Sequence, residues 1–193
     1  MNARLLVVAL EHEPDIVLVR KRTRRIAELL GFDRQDQTRI TTAVSELARN
    51  AFEYAGGGRA EFRINEDARR RALEIVISDK GPGIADLDAV VSGVQRSEKG
   101  MGVGLRGVQR LMDDFRIESQ PGSGTKVKVA KFLPARVPAV TRTVLTRIGQ
   151  VLAAEVAPNP VDEIRQQTRL PDVLLHGFSQ RASPEFFDRE PDF

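Results

Sequence analysis

The sequence predicts an α+β fold, a two-layer α/β sandwich with a mixed sheet. Three observations carry that expectation. Strand-like runs are followed by helical ones, the later strands come as hairpin-like pairs, and one long amphipathic helix offers a continuous apolar face to them.

The elements follow in order. Arg4 to Leu10 is a short apolar run that reads as a first strand. Glu13-Pro14-Asp15 opens a helix, because proline is tolerated in a first turn, and Gly31 closes it near the C′ position. Its apolar side is Ile16, Val19, Thr23, Ile26 and Leu30, so the basic run Arg20 to Arg25 is its wet face. Asp33 is a suitable N-cap for the long helix that ends at Gly56-Gly57-Gly58. On that helix Ile40, Val44, Leu47, Ala48 and Ala51 form one arc, with Glu46 and Asn50 stacked on its shoulder beside Ala43 and Tyr54. A carboxylate and a carboxamide thus sit at the border between core and solvent. By itself such a pair is the ordinary edge of a solvated face.

Ala60, Phe62 and Ile64 alternate with Glu61 and Arg63 as a half-buried strand, and Asn65 to Arg71 reads as an exposed hairpin connection. Leu73, Ile75 and Ile77, with Val76 on the other side, make a more central strand. It runs into Asp79-Lys80-Gly81-Pro82-Gly83, a tight turn with backbone open to close approach. Ala85 to Gly93 reads as a short helix and Val94 to Lys99 as a polar connector. Gly100-Met101-Gly102-Val103-Gly104-Leu105 then leads into a helix over Leu105 to Asp114, and glycines at a helix start offer free N–H groups to phosphate. Phe115 to Ser119, the turn Pro121 to Gly124, and Thr125 to Leu133 complete the core. The domain is expected to span 4–133, with a proline linker over 134–140 and a helical extension over 141–167. That extension carries Val144, Leu145, Ile148, Leu152 and Val156 at helical spacing and needs something to pack on, a second copy of the chain included. Residues 168–193 show no periodicity and are expected to be disordered.

Composition narrows the function. The 193 residues are 41% hydrophobic and 30% charged, as in a soluble globular protein. The net charge of +3 sits in local runs without interleaved aromatics, so nucleic acid is not the expected partner, and an acidic protein partner is at least as good a fit. The absence of cysteine excludes disulfides, thiol catalysis and cysteine-metal sites. No apolar run approaches the ~18 residues of a membrane span, and LLVVAL is too short for a signal peptide, so the expected location is cytoplasmic.

Four separated signals stand in a fixed order. They are Glu46-x-x-x-Asn50 on a helix, Asp79-x-Gly81-x-Gly83 after a strand, Gly100-x-Gly102-x-Gly104-Leu105 before a helix, and Gly124-Thr125 at a strand start. The pattern resembles the N, G1, G2 and G3 boxes of the GHKL ATP-binding superfamily of gyrase, Hsp90, histidine kinases and MutL. Within it the chain is similar to the RsbT-type serine/threonine kinases of bacterial stress signalling and, beyond them, to the RsbW anti-sigma kinases. The runs DQTRITTAVSELARN (Asp36 to Asn50), YAG (Tyr54 to Gly56), DKGPGI (Asp79 to Ile84) and GLRGVQRLMDDF (Gly104 to Phe115) carry the likeness. It covers roughly Arg4 to Leu133.

The resemblance implies the GHKL (Bergerat) fold, ATP and Mg²⁺ as cofactors, and a role for each quoted residue. Asn50 offers an amide oxygen, a hard ligand suited to a Mg²⁺ that bridges phosphates. Asp79 accepts from the exocyclic amino group of adenine and rejects a carbonyl there. Gly81 and Gly83 let the backbone pass beside the base, and the Thr125 hydroxyl could reach Asp79 through water. Gly100, Gly102 and Gly104, with Leu105, would close over the phosphates. Lys99 or Arg96 would stabilise the transferring phosphoryl charge, or would equally be solvated loop charges. Glu46 is the candidate base for an incoming hydroxyl. The implied reaction is phosphorylation of a serine or threonine on a STAS-domain antagonist in a partner-switching pathway. In the RsbT branch the released kinase then activates a PP2C-type phosphatase.

Other readings compete. A sensor histidine kinase needs a phosphoacceptor helix, yet His12 is followed by Glu13-Pro14 and His176 lies in the aperiodic tail. A gyrase-like switch would need a transducer domain, and none follows. The stronger rival is an ATP-binding regulatory module without phosphotransfer, derived from the N-terminal part of a larger signalling protein. The proline linker, amphipathic helix and PNPVDEIRQQ motivate it.

Overall fold

The computed structural model describes residues 2–66, 70–92, 104–137 and 140–154. In chain order the elements are β1 (Asn2–Leu10), α1 (Glu13–Leu29), α2 (Arg34–Ala55), β2 (Gly58–Glu66), β3 (Arg71–Ser78), α3 (Leu87–Ser92), α4 (Gly104–Leu111), β4 (Asp114–Ser119), β5 (Thr125–Phe132) and α5 (Arg142–Ala154). The class is α+β with helices over a five-stranded sheet, as expected. The mixed sheet is not found. The strand order is β1-β2-β3-β5-β4, and all four pairings are antiparallel. The reason is the route of the chain. After β3 it crosses through α3 and α4 to the far edge, lays down β4 there, and turns back so that β5 fills the gap antiparallel to both neighbours.

Strand alternation decides what is buried. Phe62, Ile64, Leu73, Ile75, Val127 and Val129 point to the helical layer and meet Ile40, Val44, Leu47 and Ala51 of α2. Helix α1 adds Val19 and Ile26, both fully buried. The ends of α2 are set by local chemistry. Asp33 accepts the amide of Asp36 at 2.8 Å, and Gly56 takes a left-handed φ of 71° while its N–H donates to Phe52. Asp15 caps α1 by accepting the amides of Glu11 and His12, leaving His12 exposed at the surface.

One boundary differs from the sequence reading, and one packing question is answered. Helix α4 stops at Leu111 because Asp113 is already bound to the sheet. Its N–H donates to Ala130, and its carboxylate accepts from Phe132 N and Lys131 Nζ at 2.8 Å each. The extension helix α5 finds its packing partner within its own chain, with Ile148 and Leu152 joining the core and the buried Arg22 of α1 donating to Leu152 O at 2.9 Å. The helical restart at Val161 to Gln167 and the tail lie outside the described residues.

The face of the sheet away from the helices is a grid of charges. Glu61 on β2 is 8% exposed and accepts from Arg63 at 2.9 Å, and Glu74 on β3 pairs with Lys128 at 3.0 Å. The Arg63 hydrogen bond holds the Glu61 carboxyl below the usual carboxylate range, against a burial penalty that pushes it up. A lowered folded pKa stabilises the protein above the ordinary value, and that contribution vanishes as pH falls through the folded one. Urea unfolding of Glu61→Gln should therefore show it less stable than the parent at pH 7. The gap should close as the pH is taken well below about 4.5. An equal gap at both ends would contradict this origin of the shift.

Candidate functional site

The site begins where β3 ends. Just past Ser78, the Oδ1 oxygen of Asp79 accepts the amide of Gly81 at 2.9 Å and that of Thr125 at 3.0 Å, while Asp79 N donates to Thr125 O at 2.9 Å. A short carboxylate that takes its own i+2 amide folds the chain into a turn, and the second amide fastens that turn to β5. Further along, Gly122 N donates to Pro82 O at 2.7 Å and Ile84 N to Ser119 Oγ at 2.9 Å. The loop 79–84 is thus sewn to the β4–β5 hairpin.

Two glycines are required by this packing. Gly81 presses on α2, where a Cβ would overlap the Ala55 side chain, and Gly83 has a φ of +74° with the Gln120 carbonyl where a side chain would start. Both therefore answer to close approach of the chain to itself, a demand that comes before any ligand.

A cavity of about 1200 Å³ opens beside this turn, with Asp79, Lys80, Leu87, Ser119, Gly124 and Thr125 in its wall. Glu46, Asn50, Gly81, Gly83, Gly104 and Leu105 are not among its lining residues. Thr125 meets Asp79 directly through its backbone amide. Its hydroxyl lies 2.9 Å from Ser119 Oγ.

On α2 the half-buried Glu46 reaches another part of the chain. Its Oε1 accepts the amide of Gly104, the first residue of α4, at 3.2 Å. Gly104 takes a φ of +62°, a backbone state that disfavours any other residue. One turn on, Asn50 is half-buried and its carboxamide makes no hydrogen bond among the described residues. From Asn50 to the Ala55 that touches Gly81 the helix rises only about 7.5 Å at 1.5 Å per residue. Leu105 is half-buried and packs against the core. Lys99, Gly100 and Gly102, with Arg96, lie outside the described residues.

Sequence reasoning missed Ser119 and its link to Ile84. The available signal was the hairpin itself, since a five-residue connection from Gln120 to Gly124 sets Ser119 opposite Thr125 in the ladder. Chemically, the turn presents acceptors. Both protein amides on the Asp79 carboxylate fall on Oδ1, and Oδ2 takes no hydrogen bond among the described residues. Among the described residues no group of three acidic or histidine side chains forms a preformed metal cage. No helix of the described residues is long and apolar enough to cross a membrane.

Residues 35–136 match the family described as histidine kinase-, DNA gyrase B- and HSP90-like ATPases. The chain is 45% identical to the serine/threonine-protein kinase RsbT of Bacillus subtilis over 121 residues, which is 63% of this chain and 91% of that one. It is 31% identical to the anti-sigma F factor of Pasteuria penetrans over 107 residues, covering 52% of this chain and 71% of the relative. Among solved structures, the SiaB–SiaC complex of Pseudomonas aeruginosa aligns with a TM-score of 0.41 at 16% identity, over 67% of this chain and 91% of the other.

The hydrogen bonds separate structural from ligand-directed groups. Asp79→Ala strands two amides and should cost about 2–3 kcal/mol in urea unfolding, whereas Asp79→Asn keeps an oxygen acceptor and should cost clearly less. Asn50→Ala should change stability by no more than about 0.5 kcal/mol, since none of the described residues bonds to its amide. A large loss at position 50 would show that it is part of the scaffold.

Proposed function

Since the chain belongs to the histidine kinase-, DNA gyrase B- and HSP90-like ATPase family and is an ATP-dependent serine/threonine protein kinase, we propose that it phosphorylates a STAS-domain antagonist in a cytoplasmic partner-switching pathway. The similarity to RsbT and to an anti-sigma F factor supports that class of partner. One observation in the structure carries the chemical half. The Glu46 carboxylate is tied by one oxygen to Gly104, where the glycine segment enters α4, and keeps the other oxygen for a proton.

The residues present fit Mg·ATP. Asn50 has an uncommitted amide oxygen on the shoulder of a rigid helix, and Asp79 has an uncommitted carboxylate oxygen at the cavity wall. Bound Mg·ATP would supply the phosphoryl group and neutralise part of its charge. The chain's own groups do the rest. Asp79 accepts from the adenine amino group, with Thr125 beside it and Gly81 and Gly83 keeping the turn tight. Asn50 would hold the metal through its amide oxygen. Gly100 and Gly102 would offer N–H groups to the phosphates, while Gly104, with Leu105 behind it, would close the segment with its own N–H on Glu46, and Lys99 would offset charge on the phosphoryl group in transfer. Glu46 orients the incoming hydroxyl and takes its proton. Phosphorylation weakens the hold on the antagonist, and the released kinase contacts a PP2C-type phosphatase.

The test is transfer from γ-labelled ATP to a candidate STAS protein. Glu46→Ala should lose transfer by about 10²–10⁴-fold while binding ATP within a few-fold of the parent. Asn50→Ala should lose at least about tenfold in magnesium-dependent ATP binding, a difference of ~1.4 kcal/mol. If the parent binds ATP and labels no STAS partner, the proposed substrate is wrong and a regulatory module without phosphotransfer becomes the better reading.

A further inference from the structure

The proton count around Ser119 says more about what the cavity accepts. Its Oγ has three neighbours: Ile84 N at 2.9 Å, Gly124 O at 3.1 Å and Thr125 Oγ1 at 2.9 Å. An amide can only donate, a carbonyl can only accept, and a hydroxyl can do either. Serine has one proton and two lone pairs, so a single assignment satisfies all three contacts. The Ser119 proton goes to Gly124 O, and the lone pairs take Ile84 N–H and the Thr125 hydroxyl proton. Thr125 then spends its only proton on Ser119 and has only lone pairs left. Beside it the Asp79 carboxylate, with Oδ1 filled by two amides, also offers only lone pairs. Asp79, Ser119 and Thr125 all line the cavity.

We propose that Ser119 is a positioning residue that fixes the Thr125 proton inward, so that Asp79 and Thr125 form a pair of acceptors reading both hydrogens of a purine 6-amino group. This rests on the site binding a nucleotide and adds how it selects one. A 6-oxo purine meets two acceptors with a third. A purine with one amino hydrogen replaced by methyl leaves one acceptor unpaired, and sites built to pair a polar group discriminate strongly when it is missing. Without Ser119 the Thr125 hydroxyl is free to rotate and donate, and the discrimination relaxes.

The experiment is equilibrium binding of ATP, ITP and N6-methyl-ATP, each with magnesium, to the full chain. The parent should prefer ATP over ITP by about 100-fold and over N6-methyl-ATP by about tenfold. Ser119→Ala should lower both ratios at least about fivefold, and Ser119→Thr, which keeps a hydroxyl, should restore them. Should Ser119→Ala fail to fold, Thr125→Val takes its place, since it has the shape of threonine and no acceptor, and the same loss of both ratios is expected. If Ser119→Ala weakens all three ligands equally, Ser119 only staples the loop, and the inference is overturned. It is also overturned if the parent binds N6-methyl-ATP as tightly as ATP, or if Thr125→Val leaves both ratios unchanged. Failure of the parent to bind any of the three removes the nucleotide reading itself, and this one falls with it.

Discussion

The Oδ1 oxygen of Asp79 holds two backbone amides, one two residues away and one 46 residues away in sequence. The near bond makes the turn after β3, and the far bond locks that turn to β5. A carboxylate bonded to amides is stronger than a neutral acceptor, so this oxygen fixes local geometry at the end of the sheet. Everything nearby inherits its position. Gly81 is set against Ala55 of α2, and Pro82 accepts from Gly122. Asp79 also lines a cavity whose wall is shared by the hairpin, the Gly56 to Arg59 segment and the end of β1. One half of the side chain thus serves the scaffold, and the proposed recognition falls to the other.

Helix α2 links that turn to the proposed chemistry. Its buried arc, Ile40 to Ala51, packs on the sheet and determines how the helix is rotated, and rotation determines where Glu46 and Asn50 point. A one-residue change in that arc would turn both side chains by about 100°. Core packing and the placing of functional groups are therefore one constraint. The bond from Gly104 N to Glu46 joins α2 to the start of α4, so the glycine segment that ends there terminates against the proposed base.

Much of this was legible in the sequence, and the remainder has physical reasons. Asp33 as N-cap, the Gly56 stop, the alternating β2 and β3, and the antiparallel pair after α4 are local features, written in cap and period. The sheet's all-antiparallel order depends on where the chain crosses after β3, which no local pattern encodes. Gly81 and Gly83 were visible as a turn, but their steric need comes from Ala55 and Gln120, contacts that exist only once α2 and the hairpin are in place. Thr125 was visible as a partner of Asp79, and the direct bond between them is made by its backbone amide. Ser119 stands at a strand end with no motif to mark it.

The central claim is that the Asp79 turn and the α2 shoulder face the same ligand. A ¹⁵N-resolved NMR titration of the whole chain with Mg·ATP reads this directly. The backbone amides of Gly81 and Thr125 should shift together with the side-chain amide of Asn50, along one saturating curve, because one nucleotide touches both ends. Saturating shifts at Gly81 and Thr125 with the Asn50 side chain unmoved, or shifts confined to other parts of the sheet, would contradict it.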